Sequence, residues 1–355
     1  MESTLSLPRL FEYAAERGAS DLHIIAEKPP IMRIDGVLHD ITEFPPLSID
    51  ETRELVFSIL TDDQKRRFER TRELDVSYDT KYHRLRVNAH WEQGRAGLVA
   101  RVIPLHIPAM GDIGLGEVEY ALTKETQGLI LVTGPTGHGK STTLASMINT
   151  INQERRLHIV TVEDPIEFQY TDAQAIIRQR ELGSDTLSFA AALKHTLRQD
   201  PNVILVGEMR DLETISAVLT LAETGHLVLS TLHTNSAAQT IDRIVDVFPP
   251  FQQQQVRLQL SLTLLAVISQ RLFPAKQGGR IAAREILVNT PAVANLIREG
   301  ETAQIPSMVQ TGASVGMRTM GQSLKDLAAA GVIDPTLASE HIQHEEDGRD
   351  FDPNR

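Results

Sequence analysis

The sequence predicts an α/β protein whose larger part is built on a predominantly parallel sheet and follows a smaller α+β domain. Three observations predict it. The runs LILVTG, HIVTVED, VILVGE and HLVLSTLH are continuously apolar and end in polar residues, as parallel strands covered on both faces do. Helical stretches such as ETISAVLTLAET (213–224) alternate with them. Before residue 104 the pattern differs, with short strand-like pieces, capped helices and one stretch of period-two alternation.

In chain order, Leu5, Leu10, Phe11 and Ala14, with Tyr13 nearby, mark an amphipathic first helix. DLHII (21–25) and IMRI (31–34) read as strands, followed by the turn signal Asp35-Gly36. LSIDETRELVFSIL reads as a helix, because Ser48 and Glu51 have capping-box spacing and Leu55, Val56, Ile59 and Leu60 share one face. Thr61 and Gln64 repeat that start signal for a second helix through QKRRFER. HRLRVNAHW alternates Leu85, Val87, Ala89 and Trp91 with polar residues, and GLVARVI (97–103) supplies its partner across a loop holding Gly94 and Gly97. The expected division is an α+β domain over 1–103, a loose linker over 104–118, an α/β domain over 119–335 and an acidic, disordered tail over 336–355. The linker carries Pro104, Pro108, Gly111, Gly114 and Gly116. Gln252 to Gln255, after Pro249 and Pro250, read as a helix start.

Composition narrows the function. A chain of 355 residues with 41% hydrophobic content suits two ordinary domains. Its 35 basic and 47 acidic residues give a net charge of −12, which disfavours a nucleic-acid partner because counterion release needs concentrated positive surface. With no cysteine, disulfides, thiolate metal sites and thiol nucleophiles are excluded. The first residues lack the features of an export signal, and the most apolar run, LQLSLTLLAVI (258–268), is far shorter than the ~20 residues needed to span a bilayer.

The stretch LILVTGPTGHGKSTT carries the chemistry. Gly134, Gly139, Lys140 and Ser141 satisfy G-x-x-x-x-G-K-[ST] directly after an apolar strand. Glycines let successive N–H groups turn toward phosphate oxygens, Lys140 offsets β/γ-phosphate charge, and Ser141 can hold magnesium. The candidate nucleotide-binding residues are therefore Gly134, Pro135, Thr136, Gly137, His138, Gly139, Lys140, Ser141 and Thr142, with the helix N-terminus adding its positive end. Three further clusters close the other apolar strands, where open parallel sheets bind ligands. They are Glu163-Asp164-Pro165-Ile166-Glu167, Glu208-Met209-Arg210-Asp211, and His233 with His226 opening its strand. Glu163 and Glu208 are expected to face the phosphate loop, one orienting magnesium through water and the other accepting a proton from attacking water. Asp211 and Glu167 read equally well as helix caps.

Together, GPTGHGKST, TVEDPIEF, VGEMRD and TGHLVLSTLHTNSA resemble the type II/IV secretion ATPases, in order and at family-like spacing. SDLHI, RIDG, RVNAH, RQDP, DRIVDVFP and NLIREG extend the similarity over roughly residues 5–330 and favour the pilus-retraction branch. The resemblance implies a PAS-like first domain, a RecA-like second domain and a homohexameric ring that hydrolyses ATP with Mg2+. It implies a cytoplasmic motor, peripheral at the inner membrane, that acts on a pilus platform protein beside a paralogous retraction ATPase. By the family pattern Glu163 matches the general base, Glu208 the magnesium- and water-serving carboxylate, and His233 the coupling histidine. Arg86 and Arg101 match arginines that reach the nucleotide, while Arg84 and Arg95 read equally as solvated strand charges. Two positions depart: His138 replaces the usual serine of the loop, and Ala294 replaces an arginine in the helix AVANLIRE, whose apolar face keeps Val293, Leu296 and Ile297. Main motor and accessory paralogue both remain open, beside two other classes: a binding-only subunit and a RecA-like DNA motor. His341 and His344 fall in the tail and read as part of it rather than as metal ligands.

Overall fold

A computed structural model of the chain describes residues 5–34, 37–81, 83–103 and 106–346, with side chains through Gln343. The Asp35-Gly36 turn, Pro104, the side chain of His344 and the tail beyond 346 lie outside what is described. The chain divides into two compact units, Met1–His106 with Glu167–Gln169, and Ile107–Ile166 with Tyr170–Arg355.

In the first unit, helix α1 (Leu7–Glu16) precedes strands β1 (Asp21–Ile24), β2 (Ile31–Ile34) and β3 (Val37–Asp40). Helices α2 (Ile49–Ser58) and α3 (Asp62–Thr71) follow, then strands β4 (Glu73–Asp79), β5 (Arg84–Glu92) and β6 (Arg95–Ile103). The strands form one antiparallel sheet in the order β3-β2-β1-β6-β5-β4. Both capping boxes are present: Ser48 with Glu51 opens α2, and Thr61 with Gln64 opens α3. Each satisfies two amide donors that a helix end would otherwise leave bare. Leu7, Leu10, Phe11 and Ala14 of α1 are fully buried in the same core as Leu85, Val87 and Ala89, the inward-facing positions of β5. Gln93 and Gly94 both take positive φ, 49° and 77°, in the two-residue turn from β5 to β6. That backbone twist matches a hairpin. Gly97, expected in this loop, lies inside β6 instead, where an added Cβ would stand 3.3 Å from the carbonyl oxygen of Ile24.

The second unit opens on a segment expected to be loose. From Ile107 it is packed: Met110 and Leu115 are buried in the same cluster as Ile130 and Val132, around a tight turn at Gly111–Ile113. After α4 (Glu117–Leu122) come β7 (Gly128–Thr133), α5 (Lys140–Glu154), β8 (His158–Glu163), β9 (Ile176–Glu181), α6 (Phe189–Thr196) and β10 (Val203–Val206). Next are α7 (Leu212–Glu223), β11 (Leu227–Leu232), α8 (Ala237–Asp246), α9 (Pro250–Thr263), β12 (Leu264–Pro274) and β13 (Arg280–Val288). Helices α10 (Pro291–Glu299), α11 (Ile305–Thr311), α12 (Met320–Ala329) and α13 (Pro335–Glu346) complete it. The sheet runs β13-β12-β7-β11-β10-β8-β9, parallel throughout except for β13. All six residues of β7 are buried, which is why that strand reads as an unbroken apolar run.

Three elements differ from expectation or extend it. The apolar run 258–268 is split between the end of α9 and the start of β12, and among the described residues no helix is long and apolar enough to cross a membrane. Residues 335–346 form α13, not a disordered tail: Ala338 and His341 are buried, with His341 edge-on to Phe273 at 5.2 Å. The charged composition of 340–346 hid those two inward positions. Around Ala294, Val293 and Ile297 of α10 are buried, Thr290 caps the helix and Gly300 closes it in left-handed conformation, so the helix stands without the arginine.

Candidate active site

Strand order dictates what meets the phosphate loop. β7 lies between β11 and β12, with Thr133 level with Leu232 on one side and Ser269 on the other. Gly134 and His233 therefore stand just past the ends of their strands, in one row with Gln270 inside β12. β8 and β10 are adjacent, so Glu163 and the residues after Val206 emerge side by side, and an added Cβ on Gly207 would stand 3.3 Å from the Cα of Glu163.

The loop itself is built for an anion. Gly134, Gly137 and Gly139 hold φ values of 141°, 80° and 79°. Helix α5 has Gly139 at its N-cap, no capping side chain and no acidic residue in its first turn. Its first amides thus keep their donors for a ligand, and the helix dipole favours negative charge there. The buried Lys140 ammonium donates to the carbonyl oxygens of Gly134 (2.8 Å) and Pro135 (2.9 Å). Its Nζ also lies 3.4 Å from His233 Nδ1, and Thr136 Oγ1 is 3.3 Å from that nitrogen. On its other side the imidazole reaches Glu208, with Nε2 3.4 Å from Oε2, while Arg210 Nε pairs with Oε1 at 2.6 Å. Lys140, Thr136, His233 and Glu208 are thus one connected group.

Glu163 is buried. Its Oε1 accepts from Thr161 Oγ1 (2.6 Å) and Gln179 Nε2 (3.1 Å), and Gln179 is oriented in turn by the Tyr170 amide, which donates to its Oε1 at 3.0 Å. Burial pushes the Tyr170 phenol well above its ordinary range, and the negative charge of Glu163 adds to the rise. The phenol therefore stays neutral at physiological pH beside that carboxylate. Asp211 has the blander role: it caps α7, accepting from the Thr214 amide at 2.8 Å. His226 opens β11, at the far end of that strand from His233, and faces Leu221 O at 3.0 Å.

Gln270 has no place in the phosphate-loop pattern, yet it holds that loop. Its Nε2 donates to the carbonyl of His138 (2.6 Å), its Oε1 accepts from Thr143 Oγ1 (2.8 Å), and its backbone carbonyl lies against Gly134. His138, at a position the pattern leaves open, is anchored to the same strand, its Nδ1 accepting from the Leu272 amide at 2.9 Å. The signal was available in AVISQRLF, where Ser269 and Gln270 interrupt an otherwise apolar strand and are both buried. Buried polar side chains are held by hydrogen bonds, so such an interruption marks a contact. Beside Gly139 and Thr142 opens a cavity of about 310 Å³, walled by Leu272, Ile281, Arg280 and Arg284 among others.

The arginines of the first unit divide. Arg84 pairs with Asp79 at 3.2 Å, and Arg95 pairs with Glu27. Arg86 and Arg101 are cross-strand partners on β5 and β6, both exposed, and Arg101 Nε donates to Asp21 at 2.8 Å. Burial works against charge on Asp21, but hydrogen bonds from Arg101 and Ser20 outweigh it and hold the carboxyl below its ordinary value of 3.8. A carboxylate lowered on folding adds stability above its unfolded pKa and loses it as pH falls through the folded value. Asp21→Asn should therefore lower the urea midpoint at pH 7, and its deficit against wild type should shrink as pH drops below 3.8. A deficit independent of pH would remove the ion pair from this account.

A phosphate loop between parallel strands, flanked by strand-end carboxylates and a histidine, defines a P-loop protein. The family model described as type II/IV secretion system protein matches residues 4–280, and the chain belongs to that family. It is similar to the "Type IV pilus retractation ATPase PilT" of Pseudomonas aeruginosa, 48% identical over 95% of this chain and 98% of that protein. It is also similar to a "Twitching motility protein" of Neisseria gonorrhoeae, 47% identical over 91% of this chain and 86% of that one. Among solved structures, "Crystal Structure of the Pilus Retraction Motor PilT and Bound ADP" matches with a TM-score of 0.89, at 45% identity, over 95% of this chain and 96% of the other.

Proposed function

We propose that the chain is an ATP-hydrolysing motor that retracts a type IV pilus. In this reading the first unit is PAS-like, the second is RecA-like, and six copies form a ring at the cytoplasmic face of the inner membrane, acting on the pilus platform protein beside a paralogous ATPase. The observation that carries the catalytic part is the connected group Lys140–His233–Glu208 beside an uncapped helix N-terminus. The backbone of Gly134 to Gly139, with Lys140, Ser141 and Thr142, receives the phosphates, and the adjoining cavity takes the nucleoside. The donor set suits Mg2+, a hard cation that prefers oxygen: Ser141 Oγ would hold it directly and Glu208 through water. When bound, the metal offsets charge on the phosphates.

Glu163 is the general base in this reading, with Thr161 and Gln179 fixing its carboxylate. His233 touches both the loop lysine and Glu208, so it is placed to pass a change at the phosphate to β11. Arg86 and Arg101 are assigned, on family resemblance, to stabilising charge on the transferred phosphoryl group. The similarity to two proteins named for retraction and twitching supports the coupling to pili.

Phosphate release by purified wild type and Glu208→Ala tests the chemistry. The variant should fall by about 100-fold, the scale of losing one electrostatic stabiliser. Equal release from both would leave a binding-only subunit. Deletion of the gene tests the coupling: lost twitching with surplus surface pili is expected, and normal motility would point to an accessory paralogue.

A further inference from the structure

Arg284 of β13 is buried, though its hydrogen bonds go to neutral oxygens. Nη1 donates to the carbonyl of Gly114 (3.0 Å), Nη2 to that of Ile113 (2.8 Å), and Nε points at Gln270 Oε1 (3.4 Å). Burial lowers the guanidinium to about 10, which leaves it charged at neutral pH, with Glu119 the charge that opposes the drop. Burying a cation whose hydrogen bonds all go to neutral oxygens is costly, and Glu119 offsets that cost only in part. What the cost secures is visible at both ends of the contact. One end is the turn Gly111–Ile113 with Gly114 and Leu115, in the segment through which the preceding chain enters the second unit. At the other end is Gln270, which holds the phosphate loop through His138 and the first turns of α5 through Thr143.

Both ends also line one space. Asp112 and Ile113 of the turn share the 310 Å³ cavity with Gly139 and Thr142 of the loop, and Gln270 and Arg284 form the wall between them. A ligand that fills the cavity meets the two ends of the same side-chain chain. We infer that Arg284 is a positioning residue that couples occupancy of the phosphate loop to ordering of the turn at 111–115. This rests on the nucleotide reading of the loop. Coupling is reciprocal, so a nucleotide that steadies the turn is itself held more tightly when the turn is in place. Gly114, at φ 70°, permits the backbone bend that presents the two carbonyls to one guanidinium.

The test uses the full chain, Mg-ADP as probe, hydrogen exchange over residues 107–116 and titration calorimetry. In wild type, Mg-ADP should slow exchange of the turn amides by about tenfold, within the range expected of coupled sites. Arg284→Met, which keeps length and removes the donors, should weaken ADP by about 5- to 20-fold and reduce the ADP-induced protection to under about twofold. Arg284→Lys should recover part of both, because one or two donors return. A purely structural role would lower the melting temperature of Arg284→Met yet leave the ADP-induced protection intact, and that result overturns the inference. Should Arg284→Met not fold, Gly114→Ala tests the other end: its added Cβ meets only Arg284 Nη1 at 3.7 Å, but positive φ is strained for alanine. It should weaken ADP by roughly 3- to 10-fold, and unchanged affinity overturns the coupling. Wild type that ignores Mg-ADP refutes the nucleotide reading itself, and the coupling with it.

Discussion

Glu163→Gln should lower ATP turnover by about 10²- to 10⁴-fold, the usual worth of a general base, and leave KM for Mg-ATP nearly unchanged. The substitution keeps the shape and the bonds that Thr161 and Gln179 make to Oε1, while removing the ability to take a proton. A loss confined to kcat marks an interaction made only in the transition state. Gln179→Leu sharpens the test, because it leaves the carboxylate and removes one group that aims it. Turnover should then fall by roughly tenfold, well short of the loss of the base itself. If Glu163→Gln released phosphate at the wild-type rate, the proton acceptor would have to be sought elsewhere, with Glu208 the first candidate.

Gly134→Ala should nearly abolish nucleotide binding and destabilise the second unit. A Cβ at this position would stand 2.2 Å from the carbonyl oxygen of Gln270, in a backbone conformation of φ 141° that alanine resists. Strain of that kind costs about 1–3 kcal/mol, and overpacking adds about 1–3 kcal/mol. Relief requires β12 or the loop to move, and either motion turns the loop amides away from a ligand. Losing two charge-assisted hydrogen bonds at about 1.5–3 kcal/mol each corresponds to an ADP affinity weakened by at least about 100-fold. Gly137→Ala is the control: its φ is also positive at 80°, but nothing lies within 4 Å of an added Cβ. It should cost about 1–3 kcal/mol of strain and under about tenfold in affinity. Similar behaviour of the two variants would mean that β12 does not brace the loop.

What could be read in advance was whatever rests on local chemistry. Both capping boxes, the apolar face of α1, the alternation of β5 and the apolar runs of the parallel strands are local patterns, each carried by consecutive residues of the element it specifies or of its immediate flanks. The phosphate loop was legible for the same reason: its geometry is made by consecutive residues. Gln179, Gln270 and Arg284 were not, since each acts on a residue far along the chain and belongs to no local motif. His341 was obscured by its neighbours, its one buried edge outweighed in the pattern by Glu340 and the charges that follow. Gly97 shows a further limit: a glycine signals a special backbone need without saying whether that need is a turn or a close approach from another strand.

The bracing of the loop by β12 bears on how this site could be transplanted. Gln270 and His138 are 132 positions apart in the chain, yet one supplies the amide on which the other rests. A chimera that imports only the glycine-rich stretch would leave it without its far-off half, whereas one that carries the β12–β13 hairpin along takes a complete device. By the same logic, drift at position 138 is free of the side chain at 272, because Leu272 offers His138 only its backbone amide, which every residue except proline carries.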